Sequence, residues 1–435
     1  AAFAGPARGL YRDVFAAQEP AYGAHLRHGA RHIVSVSPER FFTIDGRRLT
    51  TRPMKGTRAR GRWQTEDLER ARSLAASEKD RAENLMIVDL IRNDLGRISD
   101  FGTVTVDELF AIERYPTVWQ MTSEISSQLR QDVDLVDVFR ALFPCGSVTG
   151  APKARSMEII ADVEARPRGP YCGAIGFIPP GDGCDGASFS VAIRTAVVDD
   201  DEGFATYGVG GGVTWDSRPE GEYDEALAKA AVLTAARATP SLIETIRWDD
   251  RWLWLDEHLD RMTESAAYFG IAMPRTDIEA ALAAMAATLT GPVRVRVEVW
   301  PDGRCTIDSV RLERRFQFAP GPVDEPATLA IDHDPVDVSD PRLYHKVGDR
   351  SIYESRARRH PDADEVILTN GAGMVTEGTI TNVAVLEAGR WYTPPVTDGL
   401  LPGVMRSALI AEGFLTERSI PAASLKSVEA IAVFN

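Results

Sequence analysis

The chain has 435 residues, 44% of them hydrophobic and 26% charged, a globular balance too apolar for a disordered chain. At roughly 150 residues per domain this length suggests two large units or about three smaller ones. The sequence has no run of about 18 apolar residues, which excludes a membrane-spanning helix, and the net charge of -15 disfavours non-specific nucleic-acid binding. Four cysteines (Cys145, Cys172, Cys184, Cys305) show neither paired nor metal-ligand spacing. Together with the lack of a signal-peptide or targeting pattern, they place the expected location in the reducing cytoplasm. The chain begins at Ala1 and stops at Asn435 directly after the strand-like run Ala430–Phe434. The expectation is a piece of a longer protein, cut at both ends.

In chain order, Ile33–Ser37 and Phe41–Ile44 read as short strands, with the turn Asp45-Gly46 behind them. Glu83 to Leu95 reads as a helix whose apolar residues Leu85, Met86, Ile87, Val88, Leu90, Ile91 and Leu95 cover most of its circumference, predicting burial on most sides. Phe189–Val198 and Phe204–Val209 are β-rich runs joined by Asp199–Gly203, a predicted hairpin. Glu222 to Arg237 is Ala-rich and strongly helical. A seam falls near Ala238-Thr-Pro240, after which Leu242–Trp248 reads as a fresh strand. Asp332–Pro341 looks like a linker between two subdomains of the second half.

Several residues stand out before any family is considered. Glu83 sits on a helix that otherwise reads as buried, and a buried carboxylate needs a cation or donors. Arg81 or Arg92 could supply these; a metal is the sharper reading. Glu222, Glu225 and Lys229 share one helical stripe, either a solvated face with a Glu225–Lys229 pair or part of an oxygen-only site suited to Mg²⁺. Gly208-Val-Gly-Gly-Gly-Val213 is no phosphate loop, since no Gly-Lys-Ser/Thr follows. It either brings backbone N–H groups near an anion or is a tight bend. Lys55 taken alone reads as an exposed lysine.

Taken together, these features form an ordered series. Ser37-Pro-Glu-Arg-Phe41, Arg52–Arg58, Ser77–Met86, Asp89–Leu95, Phe143–Lys153, Tyr171–Gly176, Ala192–Thr195, Gly210–Gly212 and Asp216–Lys229 succeed one another over about 200 residues. The series resembles the chorismate-utilising enzymes. Lys55 before Gly-Thr resembles the branch that makes 4-amino-4-deoxychorismate, where the branch making anthranilate usually has Ala. The resemblance implies that the Lys55 amine attacks the chorismate ring and expels the 4-hydroxyl, that Glu39 protonates that hydroxyl, and that ammonia then displaces the lysine at C4. It implies Mg²⁺ on Glu83, Glu222 and Glu225. It also implies a grip on the substrate by Ser147, Tyr171, Arg194, Lys229 and the backbone at Gly211 and Gly212. Many relatives have His where this chain has Gln120.

The second half carries His258–Met262 on an amphipathic helix, Lys346 within Tyr344–Tyr353, and Glu377 within Asp364–Val383, followed by Gly399–Arg406. Singly these read as a rim charge, a loop lysine and a turn residue. Together they resemble the class IV aminotransferases, also called fold type IV. That resemblance implies pyridoxal phosphate, with Lys346 as the amine that anchors it, Glu377 facing the pyridine nitrogen, and Arg261, Thr381, Val404 and Met405 at the phosphate. Met405, where transaminases often have Thr, is more like the aminodeoxychorismate lyases.

The expected fold is α+β. A chorismate-binding, β-sandwich-type α/β domain over 1–238 would be followed by a fold type IV domain of two subdomains over 239–435. The expected function is 4-aminobenzoate formation: amination of chorismate, then loss of pyruvate. Ammonia would come from a separate glutamine amidotransferase, since this chain has no Gly-x-Cys-x-Gly elbow, and the second domain would support a homodimer. Two alternatives stay open: an anthranilate synthase joined to a class IV transaminase, and a non-catalytic scaffold.

Overall fold

The computed structural model describes residues 2–180, 185–215, 217–230, 239–312 and 326–435. It divides into two compact units: Ala1–Arg60 with Leu68–Ala238, and Gly61–Asp67 with Thr239–Asn435. No helix among the described residues is long and apolar enough to cross a membrane.

The first unit is built on two antiparallel sheets. The larger has seven strands, with Val118–Gln128 pairing Met54–Ala59, Arg48–Arg52 and Thr105–Arg114, and Arg40–Asp45 running on to Ser188–Val191 and Ala174–Phe177. The smaller orders Tyr22–His28, Arg31–Ser37, Thr195–Asp199 and Phe204–Tyr207. Alternation decides which side of the larger sheet is buried: Phe42, Ile44, Leu49 and Ile125 are almost fully enclosed and pack with Ile87, Val88, Ile91 and Leu95.

Those last four residues lie on the helix Glu78–Gly96, which Ser77 caps by accepting from the Asp80 N–H. The helix is less enclosed than its composition predicts. Leu85 and Met86 are more than 40% exposed, so the buried face is the narrower stripe through Asn84, Ile87, Val88, Ile91 and Leu95.

The β-rich run 189–198 also departs from expectation. It breaks at Ala192–Arg194, where Arg194 adopts a φ of 49°, and its two pieces enter different sheets. This break lets one stretch of chain serve both sheets, with Arg194 O still accepting from Val36 N at 3.1 Å. The predicted hairpin is present, with Thr195–Asp199 antiparallel to Phe204–Tyr207. The Ala-rich helix is described over Pro219–Ala230; its predicted continuation through Arg237 lies outside the described residues.

In the second unit, Leu242–Trp248, Val293–Val299 and Cys305–Arg311 form an antiparallel sheet. Val293, Val295, Val297 and Val299 all point into the core, as a period of two requires, and meet Leu259 and Met262 of helix Leu255–Phe269. A second subdomain holds two further sheets, Leu329–Ile331/Glu365–Thr369/Val375–Gly378 and Leu415–Glu417/Arg390–Thr393/Asn382–Glu387/Ala430–Phe434.

Asp332–Pro341 is no linker between the subdomains. It follows a strand already paired in the second one, and Asp332, 1% exposed, is held by Arg359 at 2.7 Å and His360 at 3.1 Å. An arginine and a histidine donor account for burying a carboxylate that composition alone assigns to solvent. They also hold its pKa at about 2, with the Arg359 hydrogen bond the largest cause.

Candidate functional sites

In the first unit, Glu39 lies in the two-residue connection between strands Arg31–Ser37 and Arg40–Asp45, which belong to different sheets, and it is 2% exposed. Ser147 Oγ donates to its Oε1 at 2.6 Å. Burial drives the carboxyl up to about 7, and the Ser147 hydrogen bond and the Lys55 charge only partly oppose that. A carboxyl poised there can hold a proton at neutral pH and give it up.

Lys55 comes from the strand Met54–Ala59 of the larger sheet. Gly56 behind it has a φ of 92°, and a Cβ there would lie 2.9 Å from Asp80 Cβ. A side chain at 56 would therefore be both strained and obstructed. Gln120 fixes the same segment: its Nε2 donates to Gly56 O at 3.0 Å, and its Oε1 accepts from Thr57 Oγ1 at 3.1 Å.

The glycine run explains itself through what faces it. A Cβ at Gly208 would enter the Tyr171 ring at 2.5 Å, one at Gly211 would lie 2.7 Å from Glu222 Oε2, and one at Gly212 would lie 2.4 Å from Lys55 Nζ. None of these glycines has a positive φ. They are required for close approach by side chains, and the tight-bend reading is not needed.

Around this run, Lys229 Nζ donates to Gly210 O at 3.0 Å and pairs with Glu225 at 2.6 Å. Ser217 Oγ donates to Glu222 at 2.6 Å, and Thr214 Oγ1 to Glu83 at 3.5 Å. Glu83 is pushed up first by desolvation and then by the like charges of Asp80 and Glu222, against the pull of Lys55 and Lys79. The described residues hold no ready group of three metal-ligating side chains, and Glu225 is engaged by Lys229. What the geometry offers a cation is the mutually repelling pair Glu83 and Glu222, with two hydroxyls between them. Arg194 is half-buried; burial lowers its pKa, opposed by the charges of Tyr207 and Tyr115.

Three participants escaped the sequence reading. Cys145 Sγ lies 3.1 Å from Ser147 Oγ, and burial pushes this thiol up to about 12. Thr214 and Ser217 link the acidic residues. The Phe143–Lys153 and Asp216–Lys229 motifs contained Cys145 and Ser217, but nothing in their spacing marked them.

In the second unit, Lys346 lies in a segment whose backbone is stitched to strand Leu242–Trp248, with Ile243 N donating to Lys346 O at 2.9 Å. Desolvation lowers its ammonium to about 8, against the pull of Glu244. Glu244 is 1% exposed and receives Arg261 through two bonds at 2.7 and 2.8 Å, and His258 at 2.7 Å. These neighbours hold its carboxyl well below the usual range.

Glu377 is 5% exposed, and burial raises its carboxyl to about 8. Tyr353 Oη donates to one of its oxygens at 2.8 Å and Leu401 N to the other at 3.2 Å. Residues 401–405 then gather the remaining pieces: Pro402 O accepts from Arg261 Nη1 at 3.1 Å, and a Cβ on Gly403 would lie 2.0 Å from Asn382 Oδ1. Val404 and Met405 open the helix Val404–Ala411. Thr381 Oγ1 donates to buried Glu365 at 2.7 Å. Glu365 also receives Thr379 N at 2.8 Å and so organises that turn. Sequence reading missed Glu244, Tyr353 and Glu365, because a lone acid in a strand and a tyrosine in a short helix carry no spacing signal.

Residues 1–235 match the family model for chorismate binding enzymes. The chain belongs to that family. Residues 241–435 match the model for class IV amino-transferases, so the chain joins the two domains. Anthranilate synthase component 1 of Streptomyces coelicolor is 44% identical over 231 residues, which is 52% of this chain and 44% of that protein. Aminodeoxychorismate synthase of Streptomyces griseus is 46% identical over 224 residues, 51% of this chain and 30% of that protein. The crystal structure of anthranilate synthase component I from Streptococcus pneumoniae is 32% identical with a TM-score of 0.49, covering 54% of this chain and 51% of that one. The chain thus spans half or less of the length of the curated relatives it matches.

Proposed function

We propose that this chain makes 4-aminobenzoate from chorismate, the first half forming 4-amino-4-deoxychorismate and the second removing pyruvate. The observation that carries the first step is the placement of Lys55 Nζ against the Gly212 backbone, close enough to Glu39 for its charge to lower that carboxyl. An amine and a carboxyl that burial raises to about 7 then lie within electrostatic reach of one another. Lys55 supplies the nucleophile, and Glu39, steadied by Ser147, gives its proton to the departing 4-hydroxyl. Ammonia, delivered by a separate glutamine amidotransferase, takes the place of the lysine at C4. Gln120 holds Gly56 and Thr57 and so fixes the direction of Lys55.

Enzymes of the chorismate binding family use Mg²⁺, and the class IV amino-transferase fold uses pyridoxal phosphate. Glu83 and Glu222 are the side chains best placed to hold the cation against a substrate carboxylate, and the repulsion between them is what a cation would relieve. Glu225 would join them by releasing Lys229.

For pyridoxal phosphate the fit is good. The cofactor withdraws electrons from the substrate carbon bound to it. Lys346 offers an amine that burial brings near neutrality, and it can move a proton at the reacting carbon. Glu377 is a buried carboxyl, raised to about 8, that a protonated ring nitrogen would draw into its ionised form. Arg261 and the backbone of Thr381, Val404 and Met405 would receive the phosphate.

Incubation of the chain with chorismate, ammonium, Mg²⁺ and pyridoxal phosphate tests the reading by product identity. 4-Aminobenzoate and pyruvate are expected. Anthranilate would instead support the reading favoured by the 44% identity to the S. coelicolor protein, and unchanged chorismate would support a scaffold.

A further inference from the structure

Tyr353 stands seven residues after Lys346 on the short helix Ser351–Ala357, and it is 5% exposed. Its hydroxyl is committed to Glu377 Oε1 at 2.8 Å. The guanidinium of Arg350, the cap residue of the same helix, lies 4.2 Å from the centre of the Tyr353 ring. That guanidinium is itself tethered by donating to Thr379 O, two residues beyond Glu377. Helix cap, tyrosine ring and the Glu377 turn therefore close into one loop of contacts.

From this arrangement, and resting on the reading of the second half as a pyridoxal-phosphate domain, we infer that Tyr353, backed by Arg350, is a positioning residue that holds the Glu377 carboxylate for the cofactor's ring nitrogen. The physical need is plain. Glu377 is enclosed, and the charged groups that act on it are Arg350 and Glu365, the second a like charge. Burial already raises this carboxyl to about 8 against its donors; each donor lost raises it further and leaves it a poorer acceptor for a ring N–H. The Leu401 N–H supplies one donor at 3.2 Å; the shorter bond comes from Tyr353. A cation over the phenol ring strengthens the hydroxyl as a donor, because it draws charge from the ring. Arg350 therefore supports Glu377 both directly and through Tyr353. A tyrosine present only to fill the core would need its ring but not this bond.

The test reconstitutes the full chain with pyridoxal phosphate carrying ¹⁵N in its ring and follows the nitrogen's chemical shift against pH, together with cofactor affinity. The wild type should show a protonated ring nitrogen at neutral pH. Tyr353→Phe keeps the ring and removes the donor. It should move the signal toward the neutral-nitrogen position and weaken cofactor binding about tenfold, as expected for one hydrogen bond to a charged acceptor. In a Glu377→Gln background, the same Tyr353→Phe change should add nothing, since its effect runs through that carboxylate. An unmoved nitrogen signal in Tyr353→Phe, or an equal loss of affinity in both backgrounds, would overturn the inference and leave Tyr353 a packing residue. Failure of borohydride to fix cofactor on Lys346 in the wild type would overturn the reading of the second half, and the inference with it.

Discussion

Ser147 Oγ donates to Glu39 Oε1 at 2.6 Å, joining side chains 108 residues apart in a pocket where the carboxyl is almost wholly enclosed. The bond favours the ionised form, burial favours the neutral one, and burial wins, which raises the group to about 7. A raised carboxyl stabilises the fold most below its ordinary pKa, and that contribution is lost as pH rises through 7. Glu39→Gln should therefore stabilise the protein above pH 7 by on the order of 2–3 kcal/mol. It should also lower 4-amination by roughly 10²–10⁴-fold, the range for removing a general acid. Chemical denaturation at pH 5 and pH 8, compared with wild type, checks the first part. A gain equal at both pH values would mean that Glu39 is not the titrating group.

Lys55 should decide whether chorismate is aminated at C4. Lys55→Ala removes the amine while leaving the irregular strand at Gly56 and the Gln120 bonds to Gly56 O and Thr57 in place. The variant should bind chorismate in the presence of Mg²⁺ yet form no 4-amino-4-deoxychorismate. Calorimetric binding together with product analysis decides the matter, and unchanged product formation at neutral pH removes Lys55 from the mechanism.

How far these sites were legible depends on how local their signals are. Val293, Val295, Val297 and Val299 announce a half-buried strand by alternation alone, and they form one. The helix carrying Glu83 also announced itself, but its burial was overstated: composition cannot say that Leu85 and Met86 face outward. The run from Phe189 to Val198 is uniformly β-prone, so the break at Arg194 is invisible without knowing that two sheets compete for it. Asp332–Pro341 looked like a linker because Asp and Pro are loop residues. Its order comes from Arg359 and His360, partners 27 and 28 positions away. Glu244 was missed for a similar reason: it takes meaning only from His258 and Arg261, one turn apart on a helix that packs against its strand.

Lys346 should anchor the cofactor. Its ammonium, lowered to about 8 by burial, is a cost to the empty protein that falls as pH rises toward the ordinary lysine value. Two outcomes follow for Lys346→Met. The empty variant should be more stable than wild type at pH 7 by on the order of 1–3 kcal/mol, with the gap closing above pH 10. It should also lose the visible absorbance of bound pyridoxal phosphate. Thermal melts across pH and an absorbance spectrum read both, and a variant that retains the absorbance band points to another lysine.

The acidic stripe and Glu83 yield the last prediction, because the structure gives these three carboxylates unequal neighbours. Glu222 accepts from Ser217, Glu225 is paired with Lys229, and Glu83 is raised by burial and by Asp80 and Glu222. A cation drawn to this place would meet the repelling pair first and would have to displace Lys229 from Glu225. Glu83→Gln and Glu222→Gln should therefore shift activity-against-Mg²⁺ curves to higher concentration more than Glu225→Gln does. Lys229→Met should loosen substrate binding and, by freeing Glu225, shift the Mg²⁺ curve to lower concentration. The variants should remain folded, since neutralising one of two repelling carboxylates relieves the empty site. Mg²⁺ titrations of the four variants, with melting curves alongside, separate the cases. Curves that coincide with wild type for Glu83→Gln and Glu222→Gln would make the stripe a solvated helix face with one ion pair, worth about 0.3–0.5 kcal/mol.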